Sequence, residues 1–177
     1  MKPIKRALVL LPISAIAAFL AIGWQHWQQS QGIDTEYWQA REIIDGDTFT
    51  VQRGQVNEKI RLCGIDAPES EQPLGAEAEA LVRSLVEGKE VGIVAVERDQ
   101  YERQVAEVFI PGVGEEETFI QQELLMAGLA YVYPEYVDGC PNGEVMKIAE
   151  ALAQENEVGV WDGEHQRPWE YRRAQRE

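Results

Sequence analysis

Five strand-like segments, with a helical segment inserted after the third, predict an α+β fold that is mainly β and built on a five-stranded OB-type barrel. The strand-like segments lie near residues 38–44, 47–53, 57–64, 90–96 and 104–110. They are short, carry β-branched or apolar residues, and are separated by turn residues, which is typical of strands. Three helices are predicted beside the barrel, and an apolar signal or anchor segment is predicted before it.

Helical spacing of apolar residues places the first helix at about residues 74–87, and Gly88 ends it. Thr118 and Gln121 form a predicted capping box for the second helix. Asn142 is the predicted N-cap residue of the third helix. The positions expected to form the apolar faces of the three helices are Leu74, Ala78, Leu81, Val82 and Leu85; Ile120, Leu124 and Leu125; and Val145, Ile148, Ala149 and Leu152.

A basic start and an uncharged apolar run mark the N-terminus. Lys2, Lys5 and Arg6 precede residues 7–24, which carry no charge. This pattern is typical of an export signal, but the run also reaches the minimum length of a membrane span, so cleavage and retention as a membrane anchor both remain open. In either case we expect a periplasmic or extracellular protein, released or tethered to the cytoplasmic membrane by residues 1–24.

The remaining chain divides where its composition changes. Residues 25–36 are polar and rich in Gln, and they predict a tether. The globular domain is predicted over residues 37–161, followed by a tail of residues 162–177. We interpret the tail as a surface segment pinned by Trp169, rather than as a nucleic-acid-binding arm, although it also carries Arg167, Arg172 and Arg173.

The pair Asp45-Gly46 stands between two apolar, β-branched runs, which is a strong signal for a hairpin. Gly46 is expected to supply a positive φ, and Asp45 is interpreted as a turn residue. Asp47 should then emerge at the start of the second strand, beside the turn.

A second group of charged residues lies where the third strand runs out into a loop. Apolar alternation around Arg61 predicts the strand, and Pro68 prevents further ladder pairing, so Asp66 and Glu69 should lie at the strand edge. Arginine suits a planar grip on phosphate, and a carboxylate can hold a hard cation or take a proton from water. The alternative is a strand-end turn with solvated charges, or a structural ion pair between Arg61 and Glu69.

Four motifs in order resemble the thermonuclease, or staphylococcal-nuclease-like, family. The order and approximate spacing match from about residue 37 to residue 161. The matching segments are Asp45-Gly46-Asp47-Thr48, Arg61 through Glu69, Asp99-x-Tyr101-x-Arg103, and Gly128-Leu129-Ala130 with Val132 and Tyr133.

The resemblance implies the OB-type fold and an endonuclease that hydrolyses phosphodiester bonds of DNA and RNA to 3′-phosphate ends. It implies Ca²⁺ as the cofactor, held by Asp47, Asp66 and the backbone carbonyl of Ala67. The resemblance also implies that Glu69 is the general base for the attacking water and that Arg61 and Arg103 bind the phosphate. Membership would make the chain a hydrolase of the micrococcal-nuclease type.

Three tyrosines extend the expected site. Tyr101 matches a family position that contacts a nucleotide phosphate. Tyr133 and Tyr136 either stack on a base, as aromatic residues do at single-stranded sites, or belong to the core or the rim. Asp99 is expected to hold the Arg103 loop. The expected substrate is single-stranded or locally opened DNA or RNA, and the sequence predicts no protein partner.

The charge composition restricts how such a substrate could be held. With 16 Lys and Arg against 31 Asp and Glu, the formal net charge is −15, which excludes binding through a broad basic surface. A metal cation and a few arginines must therefore bind the phosphates of a nucleic-acid substrate. The alternative is a non-catalytic module: an OB-fold that binds nucleic acid, or an envelope protein that recognises another partner. His26 and His165 lie outside the predicted domain, so a His-based triad or zinc site is not expected.

Cys63 and Cys140 make an even cysteine count in a chain that carries an export-like segment. A disulfide between them is favoured, because an exposed free thiol outside the cytoplasm would be reactive. The alternative is one buried and one exposed thiol, left unpaired.

Overall fold

A computed structural model describes residues 35–114 and 116–177. The predicted signal or anchor segment, residues 1–24, and the tether as far as residue 34 lie outside the described residues, as does Glu115. In the two described ranges, no helix has both the length and the apolar character needed to cross a membrane.

The predicted five-stranded barrel is confirmed. In the described ranges the strands are β1 (Thr35–Ile43), β2 (Thr48–Arg53), β3 (Val56–Leu62), β4 (Ile65–Asp66), β5 (Glu90–Arg98), β6 (Gln104–Pro111), β7 (Glu117–Phe119) and β8 (Tyr131–Val132). Antiparallel pairing runs from β3 through β2, β1 and β5 to β6, and parallel pairing of β3 with β6 closes the barrel. Because β1 begins at Thr35, residues 35 and 36 belong to the barrel rather than to the tether.

Four α-helices are seen among the described residues, one more than predicted. They are α1 (Gly75–Val86), α2 (Ile120–Met126), α3 (Gly143–Glu155) and α4 (Pro168–Ala174). Short 3₁₀ turns lie at Val137–Gly139 and Gly159–Trp161. The additional helix, α4, lies in the tail that the sequence predicted to be a surface segment.

The predicted capping box at the start of α2 is wrong. Thr118 lies in β7, and Phe119 is the residue before the helix, with no side-chain cap. Gln121 is fully buried instead: its amide donates to the carbonyl of Ala106 at 3.0 Å and accepts from the backbone N–H of Val108 at 3.2 Å. A buried amide must find hydrogen-bond partners, and β6 offers two, so Gln121 fastens α2 to the barrel.

The predicted apolar face of α3 is mostly wrong as well. Ala149 is buried, but Val145, Ile148 and Leu152 are exposed. The buried face consists of Gly143, Met146, Ala149 and Ala153. Small residues on this face let α3 pack closely against α2, which outweighs the larger apolar area on the opposite face. Asn142 does precede α3 as predicted, but its side-chain amide donates to buried Glu107 rather than capping the helix.

The hairpin between β1 and β2 forms as predicted, but Gly46 does not have a positive φ. Its glycine requirement comes from packing: a Cβ there would lie 2.7 Å from the Cβ of Ala78 and 2.8 Å from that of Ala67. The turn therefore presses against α1 and against the residues that follow β4. This close approach brings the start of β2 next to the loop that carries Glu69.

Cys63 and Cys140 form a disulfide, the pairing that the sequence favoured. Their Cα atoms are 6.1 Å apart, and the bond spans 77 residues of chain. It connects the end of β3 to the 3₁₀ turn that follows β8. Both segments border the cleft described below, so the bond restrains two of its walls.

We expect the freshly isolated protein to show no alkylatable thiol until it is reduced. Reduction should expose two thiols and lower the free energy of unfolding by about 2–4 kcal/mol, because closing a long loop restricts the unfolded chain. Intact-mass analysis after alkylation, with and without reductant, tests the pairing, and chemical denaturation of both forms tests the stability. A Cys63→Ala/Cys140→Ala variant should not respond to reductant. Two labelled thiols before reduction would contradict this expectation.

Candidate active site

Arg61, at the end of β3, joins two predicted metal ligands. Its guanidinium donates to Asp47 Oδ2 at 2.9 Å and to Asp66 Oδ1 at 2.7 Å. It also donates to the carbonyl of Leu62 at 3.2 Å, and its side chain is only 13% exposed. Arg61 is therefore fixed in orientation between two carboxylates, a geometry suited to presenting its remaining donors to an anion.

Asp47 is held from several sides by short hydrogen bonds. Oδ2 accepts from the backbone N–H of Ala67 at 2.9 Å, and Oδ1 accepts from the hydroxyl of Thr48 at 3.0 Å. The backbone N–H of Asp47 donates to Asp45 Oδ1 at 2.9 Å, the contact expected of a turn residue. Burial, reinforced by the negative charge of Asp47, raises the pKa of Asp45 to about 6. Arg61 opposes this rise in the pKa of Asp45 but does not cancel it.

Asp66 and Glu69 lie on either side of Pro68, where β4 ends. Asp66 pairs with Tyr131 of β8, and its side chain is 0% exposed. Burial raises the pKa of Asp66 above its ordinary value, while Arg172 and Arg61 oppose that rise. The backbone N–H of Glu69 donates to Gln72 Oε1 at 3.0 Å, which fixes the loop after Pro68.

Sequence reasoning missed Arg172, which lies on α4 and enters this cluster. Its guanidinium donates to Asp66 Oδ2 at 2.8 Å, to Asp66 Oδ1 at 3.1 Å and to Glu69 Oε1 at 2.6 Å. A signal was present in the sequence, because Arg167, Arg172, Arg173 and Arg176 place four of the 16 basic residues in the tail. The tail therefore lies on the surface as interpreted, but it also contributes a charged side chain to the cluster, which the interpretation did not include.

Aromatic contacts fasten the tail to the domain. Arg167 lies over the rings of Tyr131, at 4.1 Å, and Trp161, at 4.5 Å. Trp169 stacks on Tyr133 with ring centroids 5.1 Å apart and planes 12° apart, so Trp169 does pin the tail as expected. These contacts bring Arg172 to Asp66 across 106 residues of sequence.

Asp99 organises the turn between β5 and β6. Its Oδ1 accepts from the backbone N–H groups of Tyr101, at 2.9 Å, and Arg103, at 3.0 Å. Its Oδ2 accepts from Arg103 Nε at 2.7 Å. Asp99 thus holds the Arg103 loop, as predicted from the sequence. Arg103 also lies 5.5 Å from the ring of Tyr101, which is exposed.

One cleft of about 1300 Å³ collects these groups. Most of the predicted site residues line it, and Asp66 lies buried behind Arg61 and Arg172. The lining members of the predicted set are Asp47, Arg61, Ala67, Glu69, Tyr101, Arg103, Tyr133 and Tyr136. The cleft carries charged side chains of both signs. The cationic lining residues are Lys59, Arg61, Arg103, Arg172, Arg173 and Arg176, and the acidic ones are Asp45, Asp47, Glu69, Glu97, Asp99, Glu135 and Glu177.

The family model described as "Staphylococcal nuclease homologue" matches residues 59–163, which include Arg61, Asp66, Glu69 and Arg103. The chain belongs to this family. A protein named micrococcal nuclease from Shigella flexneri is 32% identical over 175 residues, which cover 96% of each chain. An uncharacterized endonuclease of Escherichia coli O157:H7 is 33% identical over 132 residues, covering 73% of this chain and 80% of that protein.

A third relative, a probable staphylococcal-like nuclease of Oryza sativa subsp. japonica, is 39% identical over 119 residues. The match covers 67% of this chain but only 33% of that protein. The segment that matches the staphylococcal nuclease homologue model ends at residue 163, so α4 and Arg172 lie beyond it.

The donor set of this staphylococcal nuclease homologue fits a hard cation such as Ca²⁺. Asp47 and Asp66 supply carboxylate oxygens, which such cations prefer. Asp45 and Glu69 lie nearby, so four acidic side chains face two arginines, Arg61 and Arg172. In the described ranges, no group of three or more His, Cys, Asp or Glu side chains is arranged to hold a metal ion. A cation here would need backbone oxygen or water as further ligands.

Proposed function

We propose that this nuclease-family protein is a Ca²⁺-dependent endonuclease that hydrolyses phosphodiester bonds of DNA and RNA and leaves 3′-phosphate ends. The observation that carries the proposal is the placement of Arg61 between Asp47 and Asp66, at a cleft that Glu69 and Arg103 also line. A guanidinium fork, a candidate cation ligand (Asp47) and a candidate base therefore border one space, and the second candidate ligand, Asp66, is bonded directly to that fork.

The roles follow from the position of each group. Glu69 lies at the cleft surface and takes a proton from the attacking water. Arg61 and Arg103 direct guanidinium donors at the phosphate and stabilise the negative charge that grows on its oxygens. Asp47 and Asp66 would hold the cation, with the backbone carbonyl of Ala67 as the proposed third ligand. Bound there, Ca²⁺ would supply Lewis-acid stabilisation of the phosphate.

The aromatic residues support a single-stranded or locally opened substrate. Tyr101 and Tyr136 are exposed at the cleft, where a splayed base could stack on them. Tyr133 has one face covered by Trp169 and packs edge-on against Tyr136. We therefore assign Tyr133 the role of supporting the exposed ring of Tyr136. A base pair inside an intact duplex could not reach these rings.

The proposed location is outside the cytoplasm. The basic and apolar N-terminal pattern of residues 1–24 supports export, and the Cys63–Cys140 disulfide is of the kind that persists in oxidising compartments. The segment then acts as a cleaved signal or as a membrane anchor.

The experiment that tests the function is cleavage of closed circular single-stranded DNA and of RNA by the purified protein, with added Ca²⁺ or with excess chelator. We expect cuts in the circle, which requires endonucleolytic attack, and 3′-phosphate ends on the products. Chelation should abolish cleavage, because two aspartates hold the cation only moderately and readily release it. Restoring Ca²⁺ should restore activity.

Full activity in excess chelator would contradict the cation dependence. Binding of the nucleic acid in Ca²⁺ without any cleavage would contradict the proposed enzyme and favour the alternative function, a non-catalytic OB-fold module that binds nucleic acid. Loss of nucleic-acid binding under every condition would instead favour an envelope protein that recognises a different partner.

A further inference from the structure

Arg172 occupies the oxygen atoms that a cation would need. Both carboxylate oxygens of Asp66 accept from its guanidinium, at 2.8 and 3.1 Å, and Glu69 Oε1 accepts at 2.6 Å. A bidentate guanidinium contact uses the lone pairs through which a carboxylate coordinates a metal. The same guanidinium also occupies Glu69 Oε1. This arrangement therefore opposes binding of a cation at these carboxylates.

The two arginines at Asp66 differ in how firmly they are held. Arg61 is fixed by β3, bonds two aspartates and a backbone carbonyl, and is 13% exposed. The side chain of Arg172 is 32% exposed and projects from a seven-residue helix near the end of the chain. Arg167 and Trp169 anchor that helix independently, so the Arg172 side chain can leave Asp66 while the backbone of α4 stays in place.

Removing Arg172 from Asp66 without replacement would be unfavourable. Asp66 is fully buried, and an uncompensated buried charge is strongly destabilising. Arg61 would remain on one of its oxygens, leaving the other without a charged partner. A divalent cation is the replacement that the carboxylate chemistry of this cluster favours.

We propose that Arg172 is a third arginine of the site, which competes with the divalent cation for the carboxylate of Asp66 and so sets the cation concentration at which the enzyme becomes active. This inference rests on the proposed cation-dependent function. Arg172 acts through Asp66, and is therefore a positioning residue rather than a catalytic one.

The test compares Arg172→Gln with Arg173→Gln, which removes the same charge from the exposed neighbour on the same helix. Ca²⁺ affinity is measured by calorimetry on the full protein without substrate, and the Ca²⁺ midpoint of cleavage is measured separately. We expect Arg172→Gln to bind Ca²⁺ more tightly than Arg173→Gln by about 5–150-fold, the usual range of coupling between two ligands. Its cleavage midpoint should fall in parallel, whereas a purely structural role would raise the midpoint or leave it unchanged.

Arg172→Lys provides the second variant in case Arg172→Gln fails to fold. An ammonium group is a point charge that lacks the planar fork, so it should compete less well for Asp66 and give an intermediate Ca²⁺ affinity. If neither Arg172 variant binds Ca²⁺ more tightly than Arg173→Gln, the inference is overturned, even when the wild type cleaves in a Ca²⁺-dependent way. If the wild type never cleaves but the Arg172 variants bind Ca²⁺ more tightly, the proposed function fails and the competition stands.

Discussion

We expect Glu69→Gln to lower the single-turnover cleavage rate by about 10²–10⁴, the usual effect of removing a general base, while substrate affinity changes little. Gln keeps the shape of the side chain but cannot accept the proton of the attacking water. The loop should not move, because its anchor is the backbone N–H of Glu69 bonded to Gln72, which the substitution leaves intact. In the proposed mechanism Arg61 and Arg103 would still hold the phosphate, and loss of a negative charge from the cleft favours binding of an anion.

The measurement is single-turnover cleavage of a labelled oligonucleotide beside its binding isotherm, both in saturating Ca²⁺. Saturation is needed because Glu69 also pairs with Arg172, so the substitution alters the competition at Asp66. Glu71→Gln is the matched control: it removes the same charge two residues away, at an exposed position that does not line the cleft. Cleavage by Glu69→Gln at the rate of the control would rule out the role of Glu69 as base.

We expect Arg61→Lys to lower the same rate by about 10²–10³, by analogy with a lost oxyanion-hole donor. Arg61 bonds Asp47 and Asp66 and still has to meet the phosphate, which a single ammonium cannot do at once. Lysine is preferred to alanine because both aspartates are buried. Truncation would leave them without this partner and destabilise the fold by about 3–5 kcal/mol, so that lost activity could not be separated from lost structure.

Rates for Arg61→Lys are compared with those for Arg83→Lys, a surface exchange on α1 whose ion pairs with Glu79 and Glu87 lie away from the cleft. Thermal unfolding of both variants shows whether the assay temperature lies below their transitions. A rate for Arg61→Lys within twofold of the control, with the fold intact, would exclude Arg61 from transition-state stabilisation.

Local sequence was sufficient to predict the barrel and the part of the site that one strand end carries. Arg61, Asp66 and Glu69 lie within nine residues, and apolar alternation followed by Pro68 places them at one edge. The family model that covers residues 59–163 agrees with that interpretation. Features of this kind depend on near neighbours in the chain, so periodicity and turn chemistry predict them.

Packing between distant segments decided several features against local preference. Gln121 had a local capping partner in sequence, but once buried it bonded to β6 because an unsatisfied amide in the core is costly. Gly46 was explained by turn conformation, yet the contacts that require it are with Ala78 and Ala67. Apolar residues occupy two sides of α3, and only the approach of its neighbours determined which side became buried.

Sequence patterns were enough to identify side chains that could carry the chemistry, but the contact of Arg172 with them depends on how distant segments pack together. Arg172 follows Asp66 by 106 residues, and no periodicity relates positions that far apart. The contact forms because aromatic packing around Arg167 and Trp169 returns the tail to β8. It is retained because Asp66 is fully buried, and a buried carboxylate requires more positive charge than Arg61 alone provides.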